Sequence, residues 1–128
     1  MARVDSQRSV SAYGESNHDG GASVVLESEG QWEPVCPGVT RKSLHYDPKA
    51  NTATFLLRMD PDAVLPAHRH GGTEQCLVLQ GEVEDGGTPL RQGDFQTLGR
   101  GSTHTAARSK SGCLLLIVAE EPAATRFL

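Results

Sequence analysis

The chain has 128 residues, 12 Lys and Arg against 16 Asp and Glu, a formal net charge of -4 and 37% hydrophobic residues. That length gives one domain, which buries about two-thirds of the surface its unfolded form exposes, and leaves little room for a second. The negative balance supplies no field for nucleic acid or anionic lipid, and no run of about 18 apolar residues is present to cross a bilayer, so neither nucleic acid nor membrane is an expected partner.

In chain order, residues 1–23 come first, rich in Ser, Gly, Asp and Asn with almost no bulky apolar side chain. Such a segment cannot bury enough to offset the entropy of ordering, so a mobile polar tail is expected, with His18 solvated. It lacks the apolar stretch of a secretory signal, which makes the cytoplasm the expected location. Residues 24–128 read as the single domain. Short apolar or alternating runs are broken by turn residues every eight to twelve positions, without a helical period. The expected strands are Val24 to Glu27, Thr40 to Tyr46, Ala53 to Met59, Gln75 to Glu84, Gly93 to Leu98, Thr103 to Ser109 and Cys113 to Ala119. Turn chemistry such as Asp60-Pro61-Asp62, Gly71-Gly72, Asp85-Gly86-Gly87 and Ser111-Gly112 separates them, and the pattern indicates an all-β antiparallel sandwich or barrel. Cys36, Cys76 and Cys113 are odd in number and far apart, which fits reduced, buried thiols better than a disulfide framework.

The segment His68-Arg69-His70-Gly71-Gly72-Thr73-Glu74 carries the chemistry. Positions two apart on a strand share a face, so His68 and His70 point together and Arg69 points away. Gly71-Gly72 permits a bend, after which Glu74 opens a strand in which Cys76, Val78 and Gln80 share its face. Glu74 can thus return to the histidines. His104, behind Gly99-Arg100-Gly101, is a fourth candidate. Imidazole and carboxylate donors in this combination suit Mn, Fe, Co, Ni and Zn. Left unpartnered in a core, each polar group would cost roughly 1 to 3 kcal/mol.

The spacing His68-x-His70-x-x-x-Glu74, with Gly81 further on, resembles the first motif of the cupin superfamily (RmlC-like), and Gly93 through Gly99-x-Gly101-x-x-His104 resembles the second. Together they cover residues 62 to 108. The resemblance implies a double-stranded β-helix, or jelly-roll barrel, with one divalent metal ion per chain on His68, His70, Glu74 and His104. Fe or Zn is the first expectation, with Mn or Ni as alternatives. Asp62, Gly99 and Arg108 depart from the usual motif residues Gly, Pro and Asn. The order of Trp32, Pro37-Gly38-Val39, Lys42-Ser43-Leu44, Leu56-Leu57-Arg58-Met59, the two motifs and Gly112-Cys113 is similar to ChrR-type anti-sigma-factor cupins and to small aromatic dioxygenases of the dihydroxyacetophenone type. The amino-terminal zinc domain of full-length ChrR-type factors, with its HxxxCxxC, has no counterpart here, so an anti-sigma role within this polypeptide is not expected.

Three readings remain open at this point. One is a metal-dependent dioxygenase acting on a small oxygenated substrate, with Glu74 as ligand or general base. The others are a zinc sensor module for a small-molecule ligand or oxidant, and a purely structural metal site. Arg58 as an anion anchor, Cys76 as a thiol beside the site, and Gln80, Gln96 and Tyr46 as polar groups of the pocket are lesser candidates. His45 is expected at the surface. A homodimer is expected, with Trp32 and Val35 at its interface.

Overall fold

The structure, a computed structural model, describes residues 21–128. The polar tail expected over residues 1–23, with His18, therefore lies almost wholly outside the described residues. Among the described residues twelve strands form the fold: β1 (Trp32–Cys36), β2 (Val39–Asp47), β3 (Thr52–Met59), β4 (Ala63–Leu65), β5 (His68–Arg69), β6 (Glu74–Asp85), β7 (Thr88–Arg91), β8 (Phe95–Leu98), β9 (Thr103–His104), β10 (Ala107–Ser109), β11 (Cys113–Glu120) and β12 (Arg126–Phe127). Among the described residues one 3-10 turn, Pro122–Ala124, precedes β12. Among the described residues no helix is long and apolar enough to cross a membrane.

A nine-stranded sheet runs in the order β1-β2-β3-β11-β6-β10-β4, with β7 and β8 also on β6, and a three-stranded sheet runs β12-β5-β9. All pairings are antiparallel. The nearly closed barrel is the all-β jelly roll expected. Its inner wall follows from two-residue alternation: in β11, Cys113, Leu115, Ile117 and Ala119 are buried, while Leu114, Leu116 and Val118 are half-buried on the outer face. Leu57 and Met59 of β3, Val39 of β2, and Val78 and Val83 of β6 complete this core.

Strand β6 positions the site. Its first half pairs with β8 and β11, its second with β7 and β10. The change of partner falls at Gly81, whose φ is +77° and where a Cβ would stand 2.1 Å from the carbonyl oxygen of Gly112. Only glycine suits that combination of left-handed backbone and close approach. A bulge opposite, between Leu114 and Leu115, bends the pair further. Folded this way, β6 turns both of its ends, Glu74 and Asp85, toward the interior.

The structure corrects several sequence expectations. Val24 to Glu27 is not a strand. Its carbonyls at Leu26 and Glu27 instead accept hydrogen bonds from the buried ammonium of Lys42, at 3.3 and 2.9 Å. The run Thr103 to Ser109 is two strands, β9 and β10, which belong to different sheets. Strands β1, β4, β5, β7 and β12 add to the expected set. Gln80 does not share the face of Glu74: the bulge pairs it with Leu114, on the outer side, and it is exposed. Arg58 points outward too, with its guanidinium 4.1 Å from the centre of the Trp32 ring, so it covers Trp32 rather than reaching the interior. Two departures from the motif pattern turn out to be partners. Asp62 adopts φ +68°, and its carboxylate accepts a hydrogen bond from Arg108 at 2.8 Å. Being exposed, that pair is worth at most about 1 kcal/mol.

Candidate metal centre

Strands β5 and β9 lie side by side with His68 directly opposite His104. Directly paired residues bring their Cβ atoms to about 5 Å, close enough for the two rings to meet. His70 follows β5 and stays in the same ladder, since its N–H donates to Ser102 O at 3.0 Å and its carbonyl accepts from Gly101 N–H at 2.9 Å. The next two residues, Gly71 and Gly72, carry the chain beneath the C-terminal segment. A Cβ on them would stand 2.3 Å from Ala124 Cβ and 2.5 Å from Glu120 O respectively, so side chains are excluded there and the chain reaches Glu74 in a short bend.

These placements bring three imidazoles together. His104 Nδ1 lies 3.3 Å from His68 Nε2 and 3.4 Å from His70 Nε2, and one ring nitrogen of each of the three lies within 4.8 Å of the other two. All three side chains are buried. The second nitrogen of each ring faces an oxygen that can only accept. His68 Nδ1 donates to the carbonyl of Pro66 at 2.9 Å, His70 Nδ1 lies 3.1 Å from Glu74 Oε2, and His104 Nε2 is in close contact with Asp85 Oδ1. These outer oxygens favour the tautomers with the ring protons on the outer nitrogens, in which three lone pairs would face one another across a few ångströms. Burial pushes His68 below its ordinary value and so disfavours its charged form, assisted by the neighbouring His104 and His70 and only partly opposed by the bond to Pro66. The three rings could hold a metal ion, and outer oxygens on each ring are the customary support of such a centre.

Glu74 is half-buried at the start of β6, with its carboxylate on the outer nitrogen of His70 and not among the three converging nitrogens. Sequence reasoning missed Asp85. Burial raises its carboxyl, but bonds from His104 and Gln96 and the nearby His104 and His68 outweigh that and hold it below the ordinary carboxylate value. Gln96, from β8, is in close contact with the other oxygen of Asp85, which accounts for this residue within the interior. The available signal was Asp85-Gly86-Gly87, which reads as a turn. Cys76 is buried beside Glu74, and burial, with the Glu74 charge, pushes its thiol up to about 12, so it is an inert neighbour. His45 is half-buried at a bulge in β2 and does not join the cluster.

A cleft of about 220 Å³ opens onto the centre, lined by His68 and Glu74 together with Phe55, Leu57, Leu65 and Ile117. A second cleft of about 490 Å³ adjoins it and includes Tyr46. Phe127 of β12 stacks edge-on to His68, with ring centres 5.8 Å apart, at the rim.

A family model for the ChrR Cupin-like domain matches residues 21–123. No curated protein matches the chain in sequence. Among solved structures, an acetylacetone dioxygenase from Acinetobacter johnsonii aligns with 15% identity and a TM-score of 0.71, over 82% of this chain and 78% of that one. KdgF from Halomonas sp. aligns with 24% identity and a TM-score of 0.64, over 77% and 94%. The complex of Rhodobacter sphaeroides SigE with the anti-sigma ChrR contains a chain that aligns with 23% identity and a TM-score of 0.65, over 74% of this chain and 51% of that one. The present chain thus spans about half of that last partner. At these identities the likeness establishes the fold.

Proposed function

The chain belongs to the ChrR cupin-like family, and from that membership we propose that residues 24–128 form one cupin domain that holds a single divalent metal ion and acts on a small oxygenated organic molecule as a dioxygenase-like enzyme. The observation that carries this reading is the convergence of His68 Nε2, His70 Nε2 and His104 Nδ1 beside a cleft open to solvent that His68 itself lines. These three nitrogens hold the ion, and Glu74 either completes its coordination or remains on His70. When bound, the ion supplies Lewis acidity and, if it is iron, electron transfer with dioxygen.

The side chains of this protein do the rest. Pro66 O, Glu74 and Asp85 keep the ring protons on the outer nitrogens, so the three rings stay in the donor tautomer without rearrangement. Phe55, Leu57, Leu65 and Ile117 exclude water from the body of a bound molecule, which strengthens every polar contact at its inner end. Glu74 lines the cleft, and its carboxylate can accept a proton from a hydroxyl or an acidic C–H of the substrate.

The family match also favours a second reading, a zinc sensor module that binds its ligand without turnover. Metal content per chain by plasma mass spectrometry on untagged protein, with nitric oxide as an electron paramagnetic resonance probe of open positions, separates the two. About one iron with an open position, and oxygen consumption with a diketone or hydroxyketone, supports the enzyme. One zinc per chain, and no turnover after reconstitution with iron, supports the sensor.

A further inference from the structure

Arg41 stands where the inner and outer clefts join, since it lines both together with Phe55, Pro122 and Thr125. In β2 it pairs with Leu57 of β3 and shares the inward face of that buried leucine, opposite to the face that Arg58 occupies. Its neighbours across the inner cleft are apolar: Val35, Phe55, Leu57, Leu65 and Ile117.

The side chain is exposed and belongs to none of the ion pairs among the described residues. Glu33 sits directly across from it on β1 without closing one. Other arginines are engaged: Arg58 on the Trp32 ring, Arg100 with Glu121 and Arg108 with Asp62. A guanidinium with no carboxylate of its own, at the junction of an apolar cleft, presents a fork suited to the carboxylate of a ligand.

We propose that Arg41 determines the specificity of the cleft, and that its ligand is a small organic carboxylate with an apolar body, bound with the carboxylate on Arg41 and an uncharged oxygen function toward the histidines. The orientation follows from charge, because Glu74 lines the inner end and repels a second carboxylate there. At about 220 Å³ the inner cleft is below the roughly 300 to 1,000 Å³ of sites for drug-sized ligands, which limits the occupant to about a dozen non-hydrogen atoms. The inference rests on the reading that the histidines form the inner end of a small-molecule site.

The test is isothermal titration of 4-acetylbenzoate and its neutral isostere 4-acetylbenzamide into the metal-loaded protein, the Arg41→Gln and Arg41→Lys variants, at low and high salt, with metal content measured on the same samples. The carboxylate should bind the unaltered protein about tenfold more tightly than the amide. That advantage should shrink to about twofold in Arg41→Gln and be partly kept in Arg41→Lys, and added salt should weaken only the carboxylate. Equal affinity for the two probes, an undiminished advantage in Arg41→Gln, or no binding of either probe to the metal-loaded protein would overturn the proposal. Protein that binds the carboxylate preferentially but takes up no metal would sink the metal reading alone and leave the role of Arg41 standing.

Discussion

Along β11 the inward side chains run from Cys113, which lies beside Met59 and Gly81, to Ala119, which lies beside Glu74. Around Cys113 the interior is Val39, Met59 and Val78, which are 0%, 2% and 1% exposed and need nothing but one another. The histidine cluster is buried too, but it gathers polar nitrogens 3.3 and 3.4 Å apart. The first region is complete when folded. On the proposed reading the second is complete only with a cation, so the two should respond differently to metal. In the apolar region a truncation costs the same whether or not metal is present, whereas in the histidine region the cost is felt only when metal is present.

His104→Ala is the strongest way to break this contrast. It should abolish stoichiometric metal binding and the rise in melting temperature that metal brings, with excess metal restoring neither, while His45→Ala changes neither. Equal metal content in the two variants, by plasma mass spectrometry, would remove His104 from the centre. Met59→Ala should cost about 2 to 5 kcal/mol in urea unfolding, by the same amount in metal-free and metal-loaded protein. A strongly metal-dependent cost would mean that the two regions are not independent.

Asp85→Asn sharpens the contrast at the edge of the centre. The amide keeps the shape but can turn a donor toward His104, so metal affinity should fall about 10-fold to 100-fold. Nitrogen-15 chemical shifts of the imidazoles should show His104 losing its single tautomer.

The smallest effect expected is on pH. His68 titrates below its ordinary value of 6.5 in the folded state, so between the folded and unfolded values the unfolded chain binds more protons and stability rises with pH. Metal-free protein should therefore lose stability as pH falls through about 6.5 and below, and Asp85, also lowered in the fold, adds a loss of the same sign at more acidic pH. A His68→Ala variant that keeps the whole of the slope near 6.5 would show that it arises elsewhere.

Much of the barrel was legible because two-residue alternation persists through long strands. β3, β6 and β11 carry eight, twelve and eight residues, enough for a period to show. β4, β5, β9 and β12 have two or three residues each, too few for any period, and exist because neighbouring chains complete their ladders. Val24 to Glu27 looked like a strand by its apolar content, but its carbonyls are drawn to Lys42 instead of to a sheet partner.

At the centre, face sharing on a strand, a local property of the backbone, was enough to anticipate that His68 and His70 point together, whereas His104 joined them only through the resemblance to the second cupin motif. Which nitrogen of each ring faces inward was not local. It depends on Pro66 O, Glu74 and Asp85, and Asp85 reaches His104 because β6 bends at Gly81 against Gly112. The misplacement of Arg58 as an anion anchor has the same origin. A strand's alternation says that neighbours face opposite sides, but only the closed sheet says which side faces the cleft, and it leaves Arg58 on the other, over Trp32.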